Sequence, residues 1–411
     1  MSAVQSAAAR IADLLATHCP DGVEYKAVKD VYTRLKGTPI TARKMKEIAS
    51  HDGEIKVFAG GKTVINAHAK DIPHANIVDV PAVLIQSRGM IDAIYYERPF
   101  TFKNEMWAYT ADDKDSVKYL YYVIKNNIEI FRNAAAGMGA LPQISLSVTE
   151  DFQIPVPPLA VQREIVRILD TFTALTTELQ TERAQRLRQY EYYRDMLLSE
   201  GYLKQATNRM NSRHSSLQRM TLGDIGKVCM CKRVLKSQTS TDEEVPFYKI
   251  GTFGKIADTF ISRELFNRYR ELYSFPKQGD VLISASGTIG RIVIYQGEDA
   301  YFQDSNIVWI DNDEKLVQNR YLYYFYSTHP WKVTQGGTIA RLYMGDIEKV
   351  PILVPPLGVQ RQVVGILDKL ERICRDVTAG LPREMALRER QYAYYRERLL
   401  TWPRRERKQG G

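Results

Sequence analysis

Two long stretches of the chain share one pattern of apolar positions. In the first stretch, spacings of three and four residues separate Ile165, Ile168, Phe172, Leu175 and Leu179. In the second, the same spacings separate Val363, Ile366, Leu370, Ile373 and Val377. This alternation is the heptad signature of a coiled-coil seam. The pattern therefore predicts two long helices that pair through these residues.

The two seams belong to an internal repeat. Residues 157–170 recur as residues 355–368, with 10 of 14 positions identical at an offset of 198 residues. The block Gln-Tyr-x-Tyr-Tyr-Arg at 189–194 returns at 391–396, where the offset is 202 residues. The second copy has therefore gained four residues, about one helical turn. The chain consists of two copies of one unit, each with a divergent globular part followed by a well-matched helical part.

The divergent parts are predicted to mix strands and helices. Short β-rich runs occur at 82–85, 280–283 and 292–295, and helical patterns occur at 116–127 and 315–327. The fold class that follows is α+β: two α/β domains separated by two long antiparallel coiled-coil helices, with a pseudo-twofold internal repeat. Helices of about 35 residues would span about 50 Å, which predicts that the domains lie at opposite ends.

The repeat also defines the predicted domain boundaries. In chain order we expect an N-terminal helix at 1–19, a first domain at 20–157, a spacer helix at 158–200, a linker at 201–218, a second domain at 219–355, a second spacer helix at 356–402 and a basic tail at 403–411. The N-terminal helix is expected to pack near the end of the second spacer helix or against the flank of a domain.

Composition narrows the class of protein. The formal net charge is +9, from 57 Lys and Arg against 48 Asp and Glu. This excess suits a polyanionic partner, because each neutralised phosphate releases condensed counterions. No apolar run approaches the roughly 18 residues of a membrane span, and the N-terminal stretch, which contains Asp13, suits an amphipathic helix better than a signal peptide. We therefore expect a cytoplasmic protein with no membrane partner.

Motifs for nucleotide or DNA chemistry are incomplete. The Asn/Asp-Pro-Pro-aromatic loop of an adenine methyltransferase and its Gly-rich cofactor turn are missing from the sequence. Gly61-Lys62-Thr63 suggests a phosphate-binding loop, but Lys56 stands where the first glycine of that motif belongs. The sequence therefore predicts a chain that is not an enzyme and binds no cofactor of its own.

Metal chemistry also lacks a complete pattern. Asp21 and Glu24 are too close in sequence to lie on the two strands that a metal-dependent nuclease needs. Cys229 and Cys231 have no second pair, which a zinc site requires, so we predict that they share one face of a strand. No metal site is expected.

The order of variable domain and helix, with each helix starting at Pro-Pro-Leu-x-x-Gln, closely resembles the specificity subunits of type I restriction-modification enzymes. The resemblance covers nearly the whole chain. It rests on Pro157 to Asp170, Pro355 to Asp368, Gln189 to Arg194, Gln391 to Arg396, Gly380 to Glu384 and the entry His18 to Tyr25. Thr176 to Leu179 and Gln180 to Arg183 resemble degenerate Thr-x-Glu-Leu blocks of the IC branch.

The resemblance implies a specific division of labour. Each variable domain would be a target recognition domain that reads one half of a split, asymmetric site in double-stranded DNA, and the helices would set the spacing. Two methyltransferase subunits carrying S-adenosylmethionine would dock on the helices. Two motor-nuclease subunits that use ATP and Mg²⁺ would complete the restriction enzyme.

Candidates for DNA contact are polar side chains on predicted loops, among them Lys and Arg beside glycine, which can approach the duplex closely. Arginine suits guanine, and asparagine or glutamine suits adenine, although some of these side chains are expected to contact only phosphate. In the first domain the candidates are Lys62, Arg88, Lys103 and Asn104. In the second domain they are Lys255, Ser286, Arg291, Gln303, Asn306 and Arg341. The alternative function is a stand-alone two-domain DNA-binding regulator or architectural protein, which would bind tightly without partners and have a polar exterior on its helices.

Overall fold

The computed structural model describes residues 13–14, 16–61, 63–135, 141–210, 216–331, 341–376 and 378–402. These residues form two compact units. Unit 1 comprises Met1–Gln180 and Met385–Gly411, and unit 2 comprises Thr181–Glu384.

Short strands alternate with helices in both units. The strands are β1 Tyr25–Ala27, β2 Thr33–Leu35, β3 Ile55–Phe58, β4 Val64–Ala67, β5 Ala82–Gln86, β6 Asp92–Tyr96, β7 Phe100–Phe102, β8 Trp107–Thr110, β9 Gln153–Pro155, β10 Gln218–Thr221, β11 Lys227–Cys229, β12 Val245–Tyr248, β13 Phe260–Ile261, β14 Val281–Ser284, β15 Ile292–Ile294, β16 Tyr301–Phe302, β17 Ile307–Asp311 and β18 Pro351–Val354. The helices are α1 Val28–Val31, α2 Ala42–Ile48, α3 Lys114–Asn126, α4 Ile128–Ala134, α5 Leu146–Glu150, α6 Leu159–Leu197, α7 Glu200–Arg209, α8 Leu222–Ile225, α9 Arg263–Leu272, α10 Asn319–Tyr326, α11 Met344–Glu348, α12 Leu357–Arg375 and α13 Gly380–Leu400.

The strand order confirms the internal repeat. Unit 1 contains a four-stranded sheet in the order β2-β8-β5-β6, a three-stranded sheet β4-β3-β7 and the pair β1-β9. Unit 2 contains β11-β17-β14-β15, β13-β12-β16 and β10-β18, which is the same set with nine added to each strand number. Both three-stranded sheets have one parallel pair, β3 with β7 and β12 with β16. The predicted α+β class and all five elements predicted in the divergent parts are therefore confirmed.

The Pro-Pro-Leu-x-x-Gln motif organises the start of each long helix. Its glutamine side chain reaches back to the first proline, with Gln162 Nε2 donating to Pro157 O at 2.8 Å and Gln360 Nε2 donating to Pro355 O at 2.8 Å. Both glutamines are buried. The motif recurs because a buried carbonyl before a helix needs a donor, and proline supplies no backbone N–H.

Each long helix packs first on a tyrosine-rich helix of its own unit. In unit 1, Asp170 of α6 accepts hydrogen bonds from Tyr122 and Lys118 of α3 at 2.5 and 2.8 Å. In unit 2, Asp368 of α12 accepts from Tyr324 and Arg320 of α10 at 2.6 and 2.7 Å. The two aspartates occupy equivalent positions of the repeat, so both copies dock their helix through the same contact.

The buried stripe of α12 departs from the predicted seam. Ile366 and Ile373 are exposed by 36% and 45%, whereas Val359, Leu367 and Cys374 are buried. The buried stripe packs in the unit 2 core with Tyr321, Leu322 and Tyr324 of α10. The predicted seam is therefore wrong at Ile366 and Ile373, while Val363 is buried and Leu370 packs against the unit 2 core. Val377 lies outside the described residues.

The α6 seam is buried only over its first half. Ile165, Ile168 and Phe172 belong to the unit 1 core, but Leu175 is 37% exposed and Leu179 is half-buried. The seam prediction is therefore wrong at Leu175, because the domain core against which α6 packs ends at the preceding turn.

Each half of α6 contacts the second spacer within its own unit. Within unit 1, the ring of Phe172 lies 5.6 Å from Tyr395 and 6.0 Å from Tyr392. Within unit 2, the guanidinium of Arg375 lies 5.0 Å from the centre of the Tyr190 ring. The first half of α6 therefore contacts α13 within unit 1, and its second half contacts α12 within unit 2.

The second spacer is not one helix. α12 ends before Asp376, and α13 begins at Gly380, whose φ of +65° turns the chain back on the last turn of α12. A Cβ at Gly380 would lie 2.6 Å from Ile373 O, so only glycine fits there. The break lies between the parts of the repeat offset by 198 and by 202 residues. The inserted turn therefore explains why α6 is continuous and its counterpart is broken.

Two flanking segments also contribute to the cores. The predicted linker at 201–218 includes α7, whose Leu203 and Ala206 are buried in unit 2. Leu14, near the N-terminus, packs against the unit 1 core that contains Leu399 and Leu400 of α13. Leu14 therefore adds to the unit 1 core, to which the end of α13 also contributes, while the basic tail at 403–411 lies outside the described residues.

Candidate nucleic-acid interface

Four loops of unit 2 converge on one polar cluster. Ser286 Oγ donates to Asn306 Oδ1 at 2.8 Å, and Arg341 Nη2 donates to Ser305 O at 2.6 Å. Ser286 and Arg341 also face each other in an isolated antiparallel bridge. The structure therefore brings together three candidates that are far apart in the sequence.

The fourth loop, between β12 and β13, joins the same cluster through Gln303 and Arg291. Gln303 Oε1 accepts from the backbone N–H of Ile250 at 3.0 Å, and Arg291 Nη1 donates to Phe253 O at 2.7 Å. Both bonds hold the loop between β12 and β13. Since a guanidinium carries five N–H donors, one carbonyl contact fixes Arg291 in place and leaves it with further donors.

Loop geometry in both units depends on a glycine at the same position of the repeat. Gly89 in unit 1 has φ +78°, and Gly287 in unit 2 has φ +62°. A Cβ at Gly287 would lie 3.2 Å from Ile250 Cγ1. A left-handed backbone conformation, and at Gly287 the nearby Ile250 side chain, favour glycine at this position. The sharp turn made by this glycine exposes the side chains next to it.

Unit 1 builds its loop cluster around Glu105. The Glu105 carboxylate accepts from the backbone N–H of Gly60 at 3.0 Å and lies 2.6 Å from Lys103 Nζ. Burial alone would raise the pKa of Glu105, but hydrogen bonds from Lys103 and Gly60 and the charges of Lys103 and Arg88 hold that pKa below its ordinary value. Glu105 therefore stays ionised and holds Lys103 against the cluster.

Three pairs of positions are structurally equivalent between the units. The bridge of Arg88 with Gln143 in unit 1 corresponds to the bridge of Ser286 with Arg341 in unit 2, each residue shifted by 198. Lys103 corresponds to Gln303, because each directly follows the second strand of the parallel pair in its unit. The backbone N–H of Lys103 donates to Phe58 O, and that of Gln303 donates to Tyr248 O, both at 2.9 Å. The same framework therefore presents different side chains in the two units.

Gln143 was missed in the sequence, although the repeat contained the signal. Adding 198 to its number gives Arg341, which was a candidate. Gln143 is exposed, as is Arg88 opposite it. The candidate loops are short and divergent, so the match is recognised only once strand pairing aligns the two copies.

The other candidates lie apart from these hydrogen bonds. Asn104 is exposed next to Lys103, and Lys255 is exposed in the loop between β12 and β13. Beside Lys255, the side chain of Ile256 is 91% exposed, more than the other exposed large hydrophobic residues of the described chain. Lys62 lies outside the described residues.

Within the described ranges, no three His, Cys, Asp or Glu side chains are placed to hold a metal ion. Cys229 ends strand β11, and Cys231 lies beyond it, so the prediction that both share one face of a strand is wrong. Burial raises the pKa of the Cys231 thiol to about 12.

No described helix is both long enough and apolar enough to cross a membrane.

The chain is similar to known type I specificity subunits. The model of the type I restriction modification DNA specificity domain matches residues 20–189 and again residues 215–386. A Haemophilus influenzae protein assigned as a type I restriction enzyme specificity subunit is 47% identical over 74% of this chain and 77% of its own length. The EcoR124I/EcoR124II specificity subunit of Escherichia coli is 30% identical over 72% of this chain and 73% of its own length.

Solved structures share the fold. The S subunit of the type I restriction-modification system from M. genitalium superposes with a TM-score of 0.56 at 15% identity, covering 92% of this chain and 96% of that one. A chain from a study of complex assembly and conformational transition in a type I system gives a TM-score of 0.51 at 13% identity, covering 92% and 97%. With its two matches to the domain model, this chain belongs to the family of type I restriction-modification specificity subunits.

Proposed function

We propose that each unit reads one half of a bipartite, asymmetric site in double-stranded DNA. The observation that carries this proposal is the shared loop framework with different side chains. Arg88, Lys103 and Gln143 in unit 1 stand where unit 2 has Ser286, Gln303 and Arg341. Base edges in the major groove are distinguished by the donors and acceptors that face them, so this change of side chains implies two different half-sequences.

The loop residues suit DNA in charge as well as in shape. The formal net charge is +9, which favours contact with phosphates. Hydrogen bonds to carbonyl oxygens hold Arg291 and Arg341 in place, which reduces the entropy lost when they bind. The exposed side chain of Ile256 adds an apolar surface that can meet a thymine methyl group.

The helices would dock the other subunits. Tyr192 on α6 is 65% exposed, and Tyr394, its equivalent on α13, is 55% exposed. Large exposed aromatic side chains at repeated positions suit a protein partner that binds twice. We expect two methyltransferase subunits there, carrying S-adenosylmethionine, and two motor-nuclease subunits that use ATP and Mg²⁺. In this arrangement the chain acts in the cytoplasm and catalyses no reaction itself. Membership of the IC branch, based on the likeness of Thr176 to Arg183 to Thr-x-Glu-Leu blocks, stays a prediction.

Co-expression with a methyltransferase subunit tests this function. The chain should co-purify with the methyltransferase, and mapping of methylated adenines should return one site made of two different half-sequences separated by a fixed gap. The chain alone should show neither methylation nor cleavage nor ATP hydrolysis. The alternative, a stand-alone DNA-binding regulator or architectural protein, would be supported if the chain alone bound a contiguous site tightly and retained no methyltransferase.

A further inference from the structure

We infer that Gln143 in unit 1 and Arg341 in unit 2 each specify one base of the half-site that their unit reads. This inference rests on the proposed function and assigns a base-reading role to a position that the sequence alone did not reveal for unit 1. The two residues occupy the same place in the repeat, opposite Arg88 and Ser286 in the isolated bridges.

The bridge brings two side chains to one face. Residues directly opposite in an antiparallel pair have Cβ atoms about 4.5–5.5 Å apart and point to the same side. Arg88 and Gln143 are both exposed. They therefore form one exposed polar pair, with a span that matches the edge of a single base pair or of two neighbouring ones.

The backbone on both sides of this pair is fixed. In unit 1, Gly89 N donates to Pro142 O at 2.8 Å, and Ile144 N donates to Ser87 O at 2.9 Å. In unit 2, Leu342 N donates to Ala285 O at 2.8 Å, the equivalent of the second bond. A side chain that discriminates bases must be held within a fraction of an ångström, and these bonds supply that support.

The two side chains differ in what they can recognise. The NH₂ group of Gln143 can donate to N7 of adenine while its carbonyl oxygen accepts from the N6 amino group. The guanidinium of Arg341 offers parallel donors, which match O6 and N7 of guanine. Arg341 donates one of its N–H groups to Ser305 O, and this contact orients the guanidinium group. Unit 1 should therefore read adenine, and unit 2 guanine, at corresponding positions of their half-sites.

Reciprocal substitutions test the inference in the complex of the full chain with its methyltransferase partner. For Q143R we expect preference at one position of the first half-site to change from adenine to guanine, with the second half-site unchanged. For R341Q we expect the opposite change at one position of the second half-site. Q143A should lose between about fivefold and a hundredfold discrimination at that same position, the worth of one bidentate contact.

Matched controls separate this role from a general effect of charge or folding. Q153R places an arginine at the exposed first residue of strand β9 in unit 1, and R268Q removes an exposed arginine from α9 of unit 2; both should retain the wild-type site. Thermal unfolding identifies variants that fail to fold. If a reciprocal variant fails to fold, the loss of discrimination in Q143A becomes the test of the inference. A folded Q143A that keeps full discrimination at every position overturns the inference. A wild-type complex with no bipartite site overturns the proposed function instead.

Discussion

The hydroxyl of Tyr324 donates a 2.6 Å hydrogen bond to the carboxylate of Asp368, joining the domain helix of unit 2 to the long helix that follows it. The Tyr324 side chain is fully buried. Burial, together with the hydrogen bond to Asp368, raises the pKa of this phenol above its ordinary value. Because the phenol stays protonated, it remains a donor at physiological pH.

Removing this hydroxyl should destabilise unit 2. For Tyr324→Phe we expect the free energy of unfolding to fall by about 2 kcal/mol, because the hydroxyl loses its part-buried hydrogen bonds to the charged groups of Asp368, Glu371 and Arg320. This corresponds to a decrease in Tm of about 4–8 °C for a unit of this size. Calorimetry should show the loss in Tyr324→Phe but not in Tyr192→Phe, whose side chain is 65% exposed. Equal effects of the two substitutions would show that the junction contributes little.

A pH-dependent contact is present at the β3–β4 hairpin of unit 1. His68 Nδ1 lies 2.8 Å from Glu54 Oε2, and His68 Nε2 lies 3.5 Å from Asp52 Oδ1. The hydrogen bond to Glu54, opposed by partial desolvation and helped by the charge of Asp52, raises the pKa of His68. The folded protein therefore binds the imidazole proton more tightly than the unfolded chain does.

The sign of the pH effect follows from this raised pKa. Stabilisation by His68 should be complete below its unfolded pKa of about 6.5 and be lost as pH rises through the higher folded value. His68→Gln should therefore lower the Tm of the protein more at pH 5.5 than at pH 8.5. Thermal melts of both proteins across this range measure the difference, and a difference that widens with rising pH would contradict the assignment.

The exposed loop of unit 2 offers a test of DNA contact that does not depend on charge. Ile256→Ser should leave the Tm unchanged, since the side chain is 91% exposed, and should weaken binding to the cognate site by about three- to tenfold. Leu272→Ser, at the end of α9, is the matched control because Leu272 is 65% exposed in the same unit. Titration of labelled DNA by the assembled complex gives both affinities. Parallel losses in the two variants would argue against a specific contact at Ile256.

The helix α6 should set the gap between the half-sites. It runs without a break from Leu159 to Leu197, so a second copy of Thr176 to Leu179 adds about 6 Å and about one full turn. The mapped site should keep both half-sequences and gain one or two base pairs between them, at about 3.4 Å per base pair. An unchanged gap, or new half-sequences, would mean that another element sets the spacing.

Repetition in the sequence predicted the architecture, and tertiary packing decided the details. Identity at an offset of 198 residues revealed two copies of one unit, and the strand order agrees. Heptad spacing misassigned Ile366 and Ile373, because an amphipathic helix has the same apolar period whether it packs on another long helix or on a domain. Their exposure depends on the position of α10, which spacing does not report.

The candidate site was predicted only in part for a similar reason. Ser286, Asn306 and Arg341 were selected as polar residues on predicted loops, but their hydrogen bonds depend on how separate loops meet. Gln143 stands four residues after Gly139, as Arg341 stands four residues after Gly337, but only the bridge it shares with Arg88 identified it as part of the site. Loop convergence is set by strand pairing over long sequence separations, which local patterns do not encode.

Duplicating one recognition domain tests the central claim most directly. A chain in which a second copy of residues 20–157 replaces residues 219–355 should be assembled with the methyltransferase, and its methylated sites should be mapped. If each unit reads one half-site, the asymmetric site becomes symmetric, with the first half-sequence present on both sides in inverted orientation and the gap retained. Persistence of the original second half-sequence would contradict the account, because the domain proposed to read it would be gone.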